Sequence, residues 1–533
     1  MFRMATFWFA ISVVYAQPVL QLKGRRLESF GAAAELAVRR SLRGERAHHI
    51  IQFAAPPTSG ELDILREQGA RILQYVPDNG LLVSAPAGFE PAELAVQTVE
   101  PLRMADKLSP ILEAWPGTSV AVLASEEPRM SLVVEFHPDV EQGEARQILA
   151  LEGLVAGQHP DLVGSHQIVK ATMKEARRLA EWDEVAYVFP ASRELEEGLL
   201  VHACAGAVTQ QGPVGQYVSK IGEGWDGPGL KPAALTYTMQ ALTDKLPQAA
   251  VRGELLKAMG EWSKYVSIDF TAGTQTDANR NLNILFASGS HGDRYAFDGP
   301  GRVLAHTFYP APPNPEPIAG DLHLDAEESW RIGNDVDVYS VVLHELGHAL
   351  GLGHSDKPGA VMYAYYRLST TLTDEDIGAI RQLYASRESN PSPPPGPPVT
   401  PPTPAPPPAA PPTAPPSPPV NPPGAPPGHP GPPGPPGAPP QDITPPSLNI
   451  VSPSSTSVLT ASETISIRGT ASDNVGVTQV FWTSSVGKAG IAAGTTNWKI
   501  EALPLLKGTN YIVIRAMDEA GNTSWRSIVV RRQ

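Results

Sequence analysis

The segment VVLHELGHALGLGHS, Val341 to Ser355, holds the residue types and spacing of a hydrolytic metal centre. His344 and His348 are four apart, which on a helix sends both imidazoles from one face toward a single ion. Glu345 follows His344 and can reach a water on that ion. Leu343, Leu346, Ala349 and Leu350 give the helix apolar flanks to bury. Gly351 can end the helix in a left-handed turn and send the chain back, so that His354 supplies a third ligand. Three neutral imidazoles suit zinc and leave its fourth position open to water, whereas a structural zinc normally fills that position with protein. Glu345 is then the expected general base.

The elements that must position these residues lie in a chain of 533 residues, about three to four domains at roughly 150 residues each. The composition is 41% apolar with a net charge of −14, which argues against nucleic acid or anionic lipid bound over a broad surface. The opening MFRMATFWFAISVVYAQPV has Arg3, an apolar run from Ala5 to Tyr15 and a small residue at Ala16. It reads as a signal peptide over residues 1–16, too short to span a bilayer. The expectation is a secreted protein, extracellular or periplasmic, with no transmembrane segment. Cys204 is the only cysteine. An intramolecular disulfide is therefore excluded, and stability must come from core size or bound metal.

Two α+β halves follow, residues 17–110 and 111–205. Each reads as β-α-β-β-α-β, the ferredoxin-like plan. The first has strands at His48 to Phe53, Ile72 to Val76 and Leu81 to Ala85, with helices at Ser59 to Gln68 and Glu90 to Val99. The second has strands at Ser131 to Phe136, around Val155 and Ile168, and at Val185 to Phe189. Its helices are Val140 to Glu152 and Met173 to Glu181. The α/β region 232–386 carries the chemistry. Residues 391–446 form a linker; 29 of the 57 prolines fall within 391–440, a composition for a polyproline II spacer. Residues 447–533 read as an all-β sandwich of short strands between turn clusters. There Asp473 and Asp518 are read as turn-shaping residues rather than calcium ligands.

Three resemblances sharpen this. HIIQFAAP, ILQYVPDNGLLVSAP and DEVAYVFP loosely resemble propeptide-like modules ahead of bacterial subtilisin-type proteases. GTASDNVGVTQVFW and GTNYIVIRAMDEAGNTS resemble bacterial immunoglobulin-like repeats. The histidine segment, with Met362 in AVMY eight residues after His354, resembles the metzincins, whose methionine forms a floor beneath the ligands. Nearly all of 232–386 is similar to the matrixins, the matrix metalloprotease family. A serralysin-like branch is disfavoured because Gly-Gly-x-Gly-x-Asp repeats are absent.

The matrixin resemblance implies a five-stranded twisted sheet with three helices. It also implies a structural zinc on His291, Asp293, His306 and His323. Calcium would bind Asp298, the carbonyls of Gly299, Gly301 and Val303, and the carboxylates of Asp325 and Glu328. A second calcium site is in doubt: Asn281 stands where aspartate is usual and PNPEPIAG replaces a glycine-rich loop, although Asp321 is retained. Substrate would pair with the strand Val303 to Ala305, using Leu304 and Ala305. Tyr366 would line the pocket for the residue after the cut, with Ala364 replacing a proline of its wall. Matrixins are held latent by a zinc-ligating pro-segment cysteine. Cys204, in VHACAGAV, lacks the surrounding motif, so a bystander thiol is favoured over a zinc switch, and the N-terminal modules could themselves inhibit or assist folding.

The expected activity is zinc-dependent peptide-bond hydrolysis on a protein or peptide substrate. The alternative is an adhesion or binding protein whose zinc domain is a non-catalytic scaffold. The last domain could tether the enzyme to a surface or polymer.

Overall fold

In a computed structural model, the described residues are 20–27, 40–387 and 444–533, with short interruptions such as 114–126, 485–487 and 520–522. The expected signal peptide and the proline tract lie outside them. The described residues belong to one structural unit.

The central domain is built on a five-stranded sheet. Its order is Ile268–Ala272, Ala233–Met239, Asn281–Ala287, Leu322–Asp325, Ala305–Thr307. The first four are parallel and the last, at the edge, is antiparallel. Parallel neighbours need a crossover, here the helix Gln248–Ser263. It buries Val251, Leu255, Ala258, Met259 and Trp262, the spacing of one helical face. The Trp262 indole donates to the Leu343 carbonyl at 2.9 Å, tying this helix to the helix Val338–Ala349. Losing a wholly buried tryptophan of this kind costs about 3–5 kcal/mol.

Every residue of the helix Val338–Ala349 is buried, so it runs through the middle of the domain rather than along its surface. Asp337 caps its start, accepting the Ser340 amide at 2.9 Å. A third helix, Asp374–Ile380, packs beyond it.

The first N-terminal half departs from the expected plan. Its sheet runs Arg71–Val76, Gly80–Pro86, Arg46–Phe53, Val96–Glu100, all antiparallel, with one helix at Ser59–Glu67. Where a helix was expected at Glu90 to Val99, Val96–Glu100 is a strand. Val96, Thr98 and Val99 are β-branched and complete the edge of Arg46–Phe53. In the second half the strand order is His166–Ala171, Met130–Phe136, Val185–Pro190, with helices Gln142–Leu151 and Met173–Ala180. The strand expected around Val155 is reduced to a bridge between Gly157 and Ile168, and Val155 is exposed.

The last domain is a sandwich. One sheet holds Ser447–Ser452, Thr464–Ser472 and Asn497–Pro504. The other holds Ser457–Thr460, Thr523–Arg532, Gly508–Asp518, Val477–Ser484 and Lys488–Ile491. Trp498, Val480, Ile512, Ile514 and Val530 fill the space between. Asp473 shapes a turn, accepting the Val475 amide at 2.9 Å. This domain touches the second N-terminal half: Arg515 pairs with Asp161, both nearly buried, and the Trp525 indole donates to the Gly198 carbonyl at 2.8 Å.

Candidate metal centre and cleft

His344 and His348 project from the buried helix, and Gly351 ends it at φ 102°, a left-handed conformation that returns the chain to place His354. Each imidazole is turned by a hydrogen bond on its inner nitrogen. His344 Nδ1 donates to the Val361 carbonyl at 2.6 Å, His348 Nδ1 to the Leu352 carbonyl at 2.7 Å and His354 Nδ1 to Gln216 Oε1 at 2.9 Å. These bonds fix one tautomer and leave each Nε2 with a lone pair. The Nε2 atoms of His344 and His354 are buried without a hydrogen-bond partner. Burial, and the neighbouring imidazoles, push His348 and His354 well below the usual histidine range and so keep them neutral.

Beneath the ligands lies Met362. A side chain at Gly347 would meet its sulfur at 2.2 Å, so the helix carries glycine where the methionine approaches. Asp376 accepts the amides of Val361 and Met362, both at 3.0 Å, and fixes this turn from the third helix.

Glu345 is buried and oriented at both oxygens. Oε2 accepts the Thr307 hydroxyl at 2.6 Å, and Oε1 accepts the Cys204 thiol at 3.4 Å. The Cys204 sulfur lies 3.6 Å from His348 Nε2, and ligand atoms of Cys204, His344, His348 and His354 all fall within 4.8 Å of one another. A buried set of three imidazoles and one thiol, with lone pairs converging, fits zinc. Burial and the Glu345 charge push the thiol well above its usual range; a bound cation acts in the opposite direction.

The chain around Cys204 fills the cleft. His202–Ala203 pairs antiparallel with Tyr365–Tyr366 on one side, and the Cys204 amide donates to the Ala364 carbonyl at 3.0 Å. On the other side Ala203 bridges Val303 and Val208 bridges Phe308, both parallel. The edge strand itself spans Ala305–Thr307, two residues further along than the expected Val303 to Ala305. Leu304 and Ala305 are buried.

The four residues expected to hold a structural zinc also converge. Asp293 Oδ2 lies 3.1, 2.9 and 2.8 Å from nitrogens of His291, His306 and His323. His291 Nε2 and His306 Nε2 each lie 3.2 Å from His323 Nδ1. Ligands about 2.0 Å from a tetrahedral zinc stand about 3.3 Å apart, so the spacing fits. Burial would raise the Asp293 carboxyl, but the imidazoles around it hold it well below the usual carboxylate range.

The expected calcium carboxylates are not gathered so closely. Among the described residues only the two histidine sets bring three or more histidine, cysteine or carboxylate ligand atoms within 4.8 Å of one another. Glu328 Oε1 instead accepts the Gly301 amide at 2.6 Å, and Asp298 Oδ1 the Val303 amide at 3.5 Å. Asp325 Oδ2 is buried without a partner, and burial pushes Glu328 up to about 7. At the second loop Asn281 hydrogen-bonds Thr238, and Asp321 accepts the Asn283 amide.

Sequence reasoning missed four contributors: Thr307, Gln216, and the pair Lys23–Asp356. Thr307 was within reach of strand alternation, because it follows His306 and must face the opposite way. Gln216 and Lys23 come from distant segments. Lys23 Nζ meets Asp356 at 2.6 Å, and Tyr187 donates to the same carboxylate at 2.6 Å, just past His354.

A buried helix bearing two imidazoles and a glutamate, a returning third imidazole and a methionine turn define a metzincin-type zinc centre. Residues 229–385 match the matrixin family model, and the chain thus carries a matrixin domain. Residues 446–512 match a bacterial Ig domain, and residues 21–104 match a domain of unknown function. Similar proteins include matrilysin of Rattus norvegicus, 39% identical over 159 residues, 29% of this chain and 57% of that protein. Matrix metalloproteinase-16 of the same species is 34% identical over 172 residues, 30% of this chain and 28% of that protein. A probable matrix metalloproteinase 095L of Invertebrate iridescent virus 3 is 40% identical over 161 residues, 29% of this chain and 42% of that protein. The chain spans less than two thirds of the length of each of these relatives. Among the described residues no helix is long and apolar enough to cross a membrane.

Proposed function

We propose that the chain is the latent precursor of a secreted zinc endopeptidase. The observation that carries this is the convergence of His344, His348 and His354 on one point, with Glu345 beside it. Bound zinc would supply Lewis-acid polarisation of the scissile carbonyl and of the attacking water. His344, His348 and His354 would hold it. Glu345 Oε1, on the cleft side, takes a proton from the water and passes it to the leaving amine nitrogen, while Thr307 keeps Oε2 in place. Leu304 and Ala305 offer the edge on which an extended peptide adds as a strand, and Tyr366 flanks the residue after the cut.

In the precursor Cys204 would join the three histidines in holding zinc, and the segment 202–217 would occupy the place of substrate. His291, Asp293, His306 and His323 hold a structural zinc. Asp298, Asp325 and Glu328, with the Gly299, Gly301 and Val303 carbonyls, would hold calcium only after drawing closer together, and the buried, unpartnered Asp325 Oδ2 supports that reading. The last domain serves as a tether.

Cleavage of casein or gelatin by the processed protein tests the reading. Activity should vanish on chelation and fall by about 10²–10⁴ in Glu345→Ala. Zinc-loaded, processed protein that cuts neither substrate refutes it.

A further inference from the structure

Two side chains of the catalytic domain grip the pro-segment through its backbone alone. Asn314 is wholly buried in the segment 310–320, PAPPNPEPIAG. Its Nδ2 donates to the Val208 carbonyl at 3.1 Å, and its Oδ1 accepts the Gln210 amide at 3.0 Å. Nδ2 also donates to the Tyr309 carbonyl at 2.9 Å, which fixes the plane of the amide. Tyr295 Oη donates to the Thr209 carbonyl at 2.6 Å, and its own amide is held by Asp293 at 2.8 Å.

Three successive guest residues are thus read at backbone groups that every peptide carries. With one Nδ2 hydrogen held by Tyr309, the Asn314 amide offers the guest its second N–H and its carbonyl oxygen, and that donor–acceptor pair can serve a chain running in either direction. Once residues 202–213 leave, Asn314 keeps its bond to Tyr309 and its other polar atoms, with Tyr295 Oη, turn to water; each bond remade to a peptide is worth about 0.5–1.5 kcal/mol net. An incoming peptide backbone restores the lost bonds.

The position along the cleft follows from the guest. Ala203 lies opposite Tyr365, beside the pocket assigned to the residue after the cut, and Cys204 marks the ion. Val208 to Gln210 follow Cys204 by four to six residues, toward the opposite end of the cleft. We propose that Asn314 and Tyr295 form a sequence-independent subsite for substrate backbone about four to six residues before the scissile bond. The proposal rests on the endopeptidase reading and adds to it a preference for substrates with a long extended stretch ahead of the cut.

The test uses processed enzyme and two acetylated peptides built around the first bond it cuts in casein, with about two or about seven residues ahead of that bond. Three restored hydrogen bonds, at about threefold each, predict that the native enzyme prefers the longer peptide on the order of thirtyfold in kcat/KM. Asn314→Leu should bring that ratio down to about three, the share left to Tyr295. Tyr295→Phe, which keeps the ring and the backbone contact to Asp293, should lower it about threefold and covers the case in which the first variant does not fold. A native ratio near one, or a ratio unchanged in the variants that fold, overturns the subsite while leaving the endopeptidase intact. Native enzyme that cuts neither peptide nor casein overturns both.

Discussion

Thr307 and Glu345 are joined by a 2.6 Å hydrogen bond from hydroxyl to carboxylate, buried where the edge strand meets the zinc helix. The bond occupies Oε2 of Glu345 and leaves Oε1 facing Cys204. The strand therefore does two jobs with consecutive residues. His306 faces Asp293 and His323, and Thr307 faces Glu345.

Thr307→Val keeps the shape and removes the donor. A hydrogen bond to a charged group contributes about 1.5–3 kcal/mol, so kcat should fall roughly tenfold to a hundredfold. KM should move little, because the hydroxyl touches the base rather than the substrate. Steady-state kinetics on a casein-derived peptide provide the check.

Cys204→Ser in the uncleaved precursor should raise peptide-cleaving activity by at least about tenfold, because the hydroxyl is a poorer zinc ligand than the thiolate. Activity is measured before any processing appears on a gel. An uncleaved variant as silent as the native precursor would show that backbone pairing alone closes the cleft.

Glu135 gives the precursor a pH dependence. Burial pushes its carboxyl up to about 7, with Lys23 and Gln74 opposing and Asp356 adding to the rise. In the fold it keeps its proton from its ordinary value near 4.5 up to about 7. The folded state then binds more protons than the unfolded chain, so this contribution is complete below about pH 4.5 and lost as pH climbs to about 7. Its size is on the order of 3 kcal/mol. Melting of the precursor should fall over that interval, and Glu135→Gln should flatten the fall. Equal pH profiles for the two proteins would refute the assignment.

Asp293→Ala removes one ligand of the second metal set and leaves three imidazoles facing one another. Bound zinc, counted by elemental analysis, should fall from two per chain to one. The melting temperature should drop with it, since a metal bound only by the fold stabilises that fold. Two zinc ions retained would place the second metal elsewhere.

The helix Val338–Ala349 was legible in the sequence because its spacing is local: His344, Glu345, His348 and the turning Gly351 all lie within one short segment. The structural set was reachable only through resemblance, since His291, Asp293, His306 and His323 come from separate strands and loops. The first N-terminal half was misread at Glu90 to Val99. Its alanines and glutamates favour a helix, yet the open edge of Arg46–Phe53 recruits Val96, Thr98 and Val99 as a strand, and tertiary pairing overrides propensity. Cys204 carried no local signature. Its place beside His348 depends on the pairing of His202–Ala203 with Tyr365–Tyr366, more than 160 residues away, which no spacing rule encodes.

Translation proceeds from the amino end, so the ribosome delivers the plug before it delivers the keyhole. Residues 202 to 217 precede the strands, the imidazole-bearing helix and the methionine turn in the chain. Whenever the cleft forms, its occupant is a tethered part of the same molecule, at an effective concentration that a free peptide must exceed to displace it.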